Sequence, residues 1–229
     1  MGYISVAIDG PSGAGKSTVA RAAAAQLGFT YVDTGAMYRA IGLAVRRRGI
    51  DGADADAIAA LLPSITVGLA YQDGVQHVLL DGEDVSDAIR TPEIAHYASK
   101  VSAVPEVRQF LLDVQRDMAK KDNILMDGRD IGTVILPDAP VKIFLTASAE
   151  KRAERRYLEL VEKGQQVTRE GVLHDVVARD RQDMTRQTAP LKQAEDAVLL
   201  DTSDMTLEES IGAVLRIIRE KTEGLQHEG

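Results

Sequence analysis

Five short apolar runs punctuate the chain: YISVAI at 3 to 8, FTYV at 29 to 32, NILM at 123 to 126, VKIFLTA at 141 to 147 and AVLLD at 197 to 201. Each is too brief for a helix, and the set reads as strands buried on both faces. Helical stretches lie between them. Residues 19 to 27 are rich in helix formers and stop at Gly28, a C-cap, while residues 149 to 164 form a charged helix that ends at Gly164. Residues 168 to 187 read as another helix before Ala189-Pro190, and residues 206 to 221 as an amphipathic closing helix. Strands alternating with helices predict an α/β fold of three layers, with a central five-stranded parallel sheet covered on both faces. Residues 63 to 90 break the rhythm. Apolar and polar positions alternate there around Asp73-Gly74, and Asp81-Gly82 repeats the turn chemistry, which predicts a small antiparallel β insertion.

With 229 residues, 45% of them hydrophobic, the chain can bury the core of one domain with appendages. The net charge of -8 opposes binding to a nucleic-acid polymer. There is no cysteine, hence no disulfide framework, thiolate metal site or cysteine nucleophile. No apolar run is long enough to span a bilayer, and the chain opens directly on its first strand pattern, so a cytoplasmic protein without membrane attachment is expected. His77, His96, His174 and His227 show no metal or triad spacing. Arginine outnumbers lysine 18 to 9, but only arginines placed by a motif bear on function.

One motif is specific. Gly10-Pro11-Ser12-Gly13-Ala14-Gly15-Lys16-Ser17-Thr18 lies between the first strand and the first helix and satisfies Gly-x-x-x-x-Gly-Lys-Ser. Its glycines permit a loop whose amide N–H groups converge on phosphate oxygens at a helix N-terminus; Lys16 reaches the β- and γ-phosphates and Ser17 ligates magnesium. The third glycine of the dinucleotide-binding pattern is missing, which sets a Rossmann dehydrogenase aside. Asp127 ends an apolar strand, where P-loop proteins place an acid near the metal. Neither the Asp-x-x-Gly and Asn-Lys-x-Asp pair of a GTPase nor the Leu-Ser-Gly-Gly-Gln of a transporter ATPase occurs. What remains is a small kinase that passes the γ-phosphoryl group of ATP to a second small molecule.

Four further segments narrow this reading: Asp33-Thr34-Gly35-Ala36-Met37-Tyr38-Arg39, Asp127-Gly128-Arg129-Asp130-Ile131-Gly132-Thr133, Ala139-Pro140-Val141-Lys142-Ile143-Phe144-Leu145 and Ala189-Pro190-Leu191. Together they resemble the bacterial cytidylate kinases, within the P-loop nucleoside monophosphate kinase superfamily, and the similarity runs from the first strand to the last helix. The resemblance implies a P-loop NTPase fold with a core (1 to 33, 101 to 149 and 168 to 229), an acceptor-nucleotide-binding insertion (34 to 100) and a helical lid (150 to 167). It implies transfer of the γ-phosphoryl group of MgATP to CMP and dCMP, giving ADP and CDP or dCDP, in pyrimidine nucleotide metabolism. A kinase for another monophosphate such as UMP, or a binding protein gated by ATP, are the alternatives. Nothing in the sequence reads as a large apolar interface, so a monomer is expected.

The resemblance also assigns roles. Residues 10 to 18, with Arg152 and Arg155, bind ATP. Arg39, Arg129 and Arg186 hold the acceptor phosphate; Ser99, Arg108 and Asp130 read the base; Tyr38 stacks on it; Thr34 and Asp127 line the same site; Arg179 and Asp183 bind the sugar hydroxyls. Arg152, Arg155 and Arg156 share one face of the charged helix, where they would close over the phosphates, or where Arg155 would pair with Glu159 on a solvated face. Lys16, Arg129, Arg155, Arg156 and Arg186 are the catalytic set. Ser17 is the magnesium ligand, with Asp33 a candidate through water; Asp33, Asp127 and Asp130 stand unranked as helpers of the metal or orienters of arginines.

Overall fold

The run at 3 to 8 becomes β1 (Ser5–Asp9), the middle strand of a five-stranded sheet in the computed structural model, which describes residues 2 to 72 and 74 to 223. It is followed by α1 (Lys16–Leu27), β2 (Thr30–Asp33), α2 (Thr34–Arg47) and α3 (Ala55–Leu61). A hairpin of β3 (Val67–Gln72) and β4 (Val75–Leu80), extended by β5 (Glu83–Asp84), precedes α4 (Pro92–Val101) and α5 (Pro105–Ala119). The chain then runs through β6 (Ile124–Gly128), β7 (Val141–Thr146), α6 (Ala149–Glu162), α7 (Arg169–Thr185), β8 (Val198–Asp201) and α8 (Leu207–Glu223).

The large sheet is parallel throughout, in the order β2-β6-β1-β7-β8. Successive side chains point to opposite faces, and every position finds a layer. Val6, Ile8, Leu125, Ile143 and Leu145 face α1 and α8 through Val19, Ala23, Val214 and Ile218. Ala7, Val32, Ile124 and Met126 face the other way, against Ile131, Ile135 and Leu112 of α5. The three predicted layers are present. Strands depart to either side of β1, and in such a sheet ligands bind at the carboxyl ends of the strands flanking that reversal.

The insertion forms around a second core. Met37, Ile41, Ile58, Val78, Leu80 and Val101 pack together there with Val107 and Leu111 of α5. Gly42 lets α2 lie close on α4, since a Cβ there would stand 3.0 Å from both the Ala98 nitrogen and the Tyr97 Cβ. The antiparallel hairpin forms as expected, with Gln72 opposite Val75; Asp73 of its turn, like His227, lies outside the described residues. α6 and α7 pack on each other through Ala153, Leu160, Val172 and Val176. Among the described residues, no helix is long and apolar enough to cross a membrane.

Two details differ from the sequence reading. α1 begins at Lys16, nearly a turn before the run of helix formers, because the glycine loop feeds directly into the first helical turn. A π-helical turn at Ile131–Ile135 follows Asp130, and no periodicity announces it.

Candidate active site

The glycine loop leaves β1 at Gly10, whose φ of +151° suits glycine and where a Cβ would run into the Leu145 carbonyl oxygen. It ends at Gly15, φ +85°, which caps α1 without any side-chain hydrogen bond. The first turn of α1 carries no acidic residue, so its free N–H groups and dipole face an incoming anion unopposed. Lys16 is buried and donates to the Pro11 carbonyl at 2.8 Å. Burial, followed by the Arg129 charge, brings its ammonium down to about 7 despite Asp127, Asp9 and Asp183 nearby. Thr18 is exposed on the outside of α1.

The hydroxyl of Ser17 donates to Asp127 Oδ2 at 2.8 Å, and Tyr31 donates to Oδ1 of the same carboxylate at 2.9 Å. Asp33 sits opposite Asp127 in the β2–β6 register. Burial first, and the charge of Asp33 second, push Asp127 up to about 6. A hydroxyl and two crowded carboxylates make an oxygen donor set that a small hard cation would relieve, which fits magnesium. Among the described residues no three His, Cys, Asp or Glu side chains cluster as a metal cage. The three unranked aspartates therefore separate: Asp127 accepts from Ser17, Asp33 lies opposite Asp127 in the sheet, and Asp130 is committed to arginines.

Sequence reasoning missed Asp9. Its carboxylate accepts from the backbone N–H groups of Ile131 and Gly132, both at 2.8 Å, tying the start of the glycine loop to the turn after Arg129-Asp130. The only signal was its place directly before Gly10. Burial outweighs these two bonds and raises Asp9 from 3.8 to about 6. The folded chain thus holds a proton that the unfolded chain has released, so Asp9 lowers stability as pH rises from 3.8 to about 6 and the loss is complete above that. Asp9→Asn lacks this titration. The stability of the native protein relative to Asp9→Asn, measured by denaturant unfolding, is expected to decline across that window; a constant difference would contradict the raised pKa.

On the acceptor side, Thr34 donates to the Asp127 carbonyl at 2.8 Å, and Arg39 Nη1 lies 3.8 Å from Asp33 Oδ2. Arg129 Nε donates to Asp183 Oδ2 at 2.9 Å. Arg186 Nε donates to the Ala189 carbonyl at 2.7 Å, while its Nη2, buried without a hydrogen bond, stands 3.7 Å from Asp130 Oδ1. Arg108 forms an ion pair with Asp130 and donates to the Ser102 carbonyl at 3.1 Å. Its guanidinium also covers the Tyr38 ring, 5.5 Å from the centroid. One face of Tyr38 is thereby taken by the arginine. Ser99 donates to Gln182 Oε1 at 3.1 Å, a partner from α7 that no motif indicated. Arg179 has a buried Nε without a hydrogen bond. Burial and the charges of Arg129, Arg39 and Arg156 draw it down to about 10, against a single opposing Asp183. Segments distant in sequence thus converge on a cationic pocket beside the glycine loop.

The three arginines of α6 do not act as one open face. Arg152 is buried: it pairs with Asp180 through two bonds of 2.9 and 2.5 Å and donates to the Ala147 carbonyl at 2.8 Å and the Ser12 carbonyl at 3.0 Å. It braces the glycine loop from behind. Arg155 donates to the Thr202 carbonyl at 2.8 Å and lies near Gly15, and it is Arg156, not Arg155, that pairs with Glu159, at 3.3 Å. Gly164 has φ +74° just beyond the end of α6, as the cap reading requires.

A model of the family described as cytidylate kinase matches residues 6 to 220. The chain is 52% identical over 221 residues to a cytidylate kinase of Caldanaerobacter subterraneus subsp. tengcongensis, covering 96% of this chain and 97% of that one. It is 50% identical over 217 residues to a cytidylate kinase of Caldicellulosiruptor saccharolyticus, covering 95% and 96%. In structure it is similar to a gluconokinase from Sinorhizobium meliloti, with a TM-score of 0.51 at 16% identity over 99% of this chain and 97% of that one, a likeness of fold alone. A glycine loop at a bare helix N-terminus, a pocket of converging arginines next to it and a family match that spans both lead to one assignment: the chain belongs to the cytidylate kinase family.

Proposed function

We propose that the chain transfers the γ-phosphoryl group of ATP, with magnesium, to the phosphate of CMP and of dCMP, giving ADP and CDP or dCDP, and that it acts as a monomer. The observation that carries this reading is the gathering of Arg39, Arg129 and Arg156, guanidiniums from three separate segments, around the buried Arg179, whose Nε makes no hydrogen bond. Such a pocket favours a phosphate dianion. A protein that only senses ATP has no use for a second phosphate site beside the first.

In this reading Lys16 and the glycine loop hold the donor phosphates, and Arg39, Arg129 and Arg186 hold the acceptor phosphate, with Arg155 and Arg156 added from α6. Ser17 would hold magnesium, with Asp127 and Asp33 directly or through water, and the ion would neutralise charge on the β- and γ-phosphates. An oxygen of the acceptor phosphate forms the new bond to the γ-phosphorus as the bond to the β–γ bridging oxygen breaks, and ADP leaves. The attacking oxygen is already anionic, so positioning and charge neutralisation suffice without a strong base. Asp130 and Arg108, fixed by each other, read the amine and ring edge of cytosine together with Ser99, and Tyr38 supports Arg108 from behind. Arg179 and Asp183 serve the sugar. The insertion, residues 34 to 100, moves with the acceptor, and residues 150 to 167 act as the lid.

ADP release from MgATP, compared without acceptor and with CMP, dCMP, UMP or AMP at equal concentration, tests the reading. Turnover that requires CMP or dCMP is expected; turnover without acceptor, or with none of the four, would overturn it. The role of Arg156 is separable from folding. Its pair with Glu159 is half exposed, so Arg156→Ala should change stability by no more than about 0.5 kcal/mol yet lower kcat about 100-fold. An unchanged kcat would leave Arg156 as a solvated surface charge.

A further inference from the structure

β2 is an edge strand: β6 pairs with one side of it, and among the described residues no main chain pairs with the other. Such an edge presents the N–H and C=O groups of alternate residues, which need partners when covered. Two side chains of the insertion supply them. The Tyr71 hydroxyl donates to the Tyr31 carbonyl at 3.0 Å. Two residues along, the Gln76 amide meets the Asp33 peptide on both sides, accepting from its N–H at 2.8 Å and donating to its C=O at a longer 3.4 Å. Tyr71 and Gln76 are directly opposite each other in the β3–β4 register, so one cross-strand pair caps the edge.

The two contacts differ in what they hold. Asp33 is the last residue of β2, and α2 starts at the next residue with no linker. Its Oδ1 accepts from the Ala36 N–H at 3.0 Å as the N-cap of α2, its Oδ2 lies 3.8 Å from Arg39, and its register partner is Asp127. The Asp33 peptide is therefore the pivot from which Tyr38 and Arg39 are aimed. We propose that Gln76 is a positioning residue for the acceptor half of the site, clamping the Asp33 peptide and with it the start of α2. The kinetic part of this inference rests on the CMP kinase reading above. Glutamine suits the task because one amide offers an acceptor and a donor together; a carboxylate would repel the Asp33 carbonyl and add charge beside Asp33 and Asp127.

Gln76→Leu and Tyr71→Phe separate clamping from simple docking. In the nucleotide-free protein, Gln76→Leu should speed hydrogen exchange of the Asp33 amide about 10-fold, read by NMR, because that amide loses its acceptor. It should raise KM for CMP about 5- to 10-fold and leave kcat and KM for MgATP within about twofold. Tyr71→Phe, on the same hairpin, should leave both the Asp33 amide and KM for CMP within about twofold. The proposal fails if the Asp33 amide does not respond, if KM for CMP stays constant or rises in step with KM for MgATP, or if Tyr71→Phe reproduces the effects. Should the native protein show no CMP-dependent turnover, the functional reading falls, and the Asp33 exchange rate alone still decides whether Gln76 is the clamp.

Discussion

Lys16→Met should lower kcat/KM for MgATP about 10³-fold while the protein stays folded. The activity side follows from placement: Lys16 is buried in the first turn of α1, where the proposed function puts the donor phosphates, and removing a preorganised charge from such a site costs about 10²- to 10³-fold or more. The stability side follows from the pKa. Among the described residues the ammonium has only the Pro11 carbonyl as hydrogen-bond partner, and burial lowers it from 10.5 to about 7. A base with a lowered folded pKa removes stability as pH falls from 10.5 through 7, so at pH 7 to 8 the charged form is already a burden on the free protein. Methionine has similar reach without the charge. Thermal melting at pH 7.5 should show the variant at least as stable as the native chain, so lost turnover cannot be ascribed to unfolding. Residual activity within about tenfold of native would remove Lys16 from the catalytic set.

Asp130→Ala should be the most destabilising single change in the acceptor half. Asp130 is 3% exposed; it pairs with Arg108, 8% exposed, and stands 3.7 Å from an Arg186 nitrogen that has no hydrogen bond. Its removal takes the adjacent counter-charge from two buried guanidiniums and leaves them only Asp183 further off, at a cost of about 3–5 kcal/mol. For a chain of this size that corresponds to a fall in Tm of roughly 10 °C. Released from Asp130, Arg108 also loses its aim, and the preference for CMP over UMP should erode. Asp130→Asn keeps the shape and should fold better, which separates selectivity from stability. An undiminished preference in both variants would remove Asp130 from base reading.

How much of this was readable before folding differs by feature. The order strand, glycine loop, helix could be read from the sequence, though not the first residue of α1, because a glycine loop at a helix N-terminus is a local device spelled out within the nine residues from Gly10 to Thr18. Arg39 and Arg129 lie in the quoted motifs, and Arg179 and Arg186 could be named from the family resemblance. Their convergence could not, since nothing local says that α2, the turn after β6 and α7 meet. Arg152 is the sharpest contrast. Its spacing from Arg155 and Arg156 placed all three on one helical face, but whether that face at 152 meets water or Asp180 depends on where α7 packs. Asp9, Gln76 and Gln182 carried no usable signal, because each acts through a partner 43 or more residues away.

The order of hydrophobic and polar positions was enough for the strands of the large sheet, for α1, α6, α7 and α8 and for the antiparallel insertion, and the glycine motif was enough for the loop, because each is specified by neighbours in sequence. Strand order, the commitment of Asp130 to arginines and of Asp127 to Ser17, the cover that Arg108 lays over Tyr38 and the docking of the hairpin on β2 arise differently. They come from contacts between segments far apart in the chain, chosen by which buried charges and backbone groups can satisfy one another once the layers close.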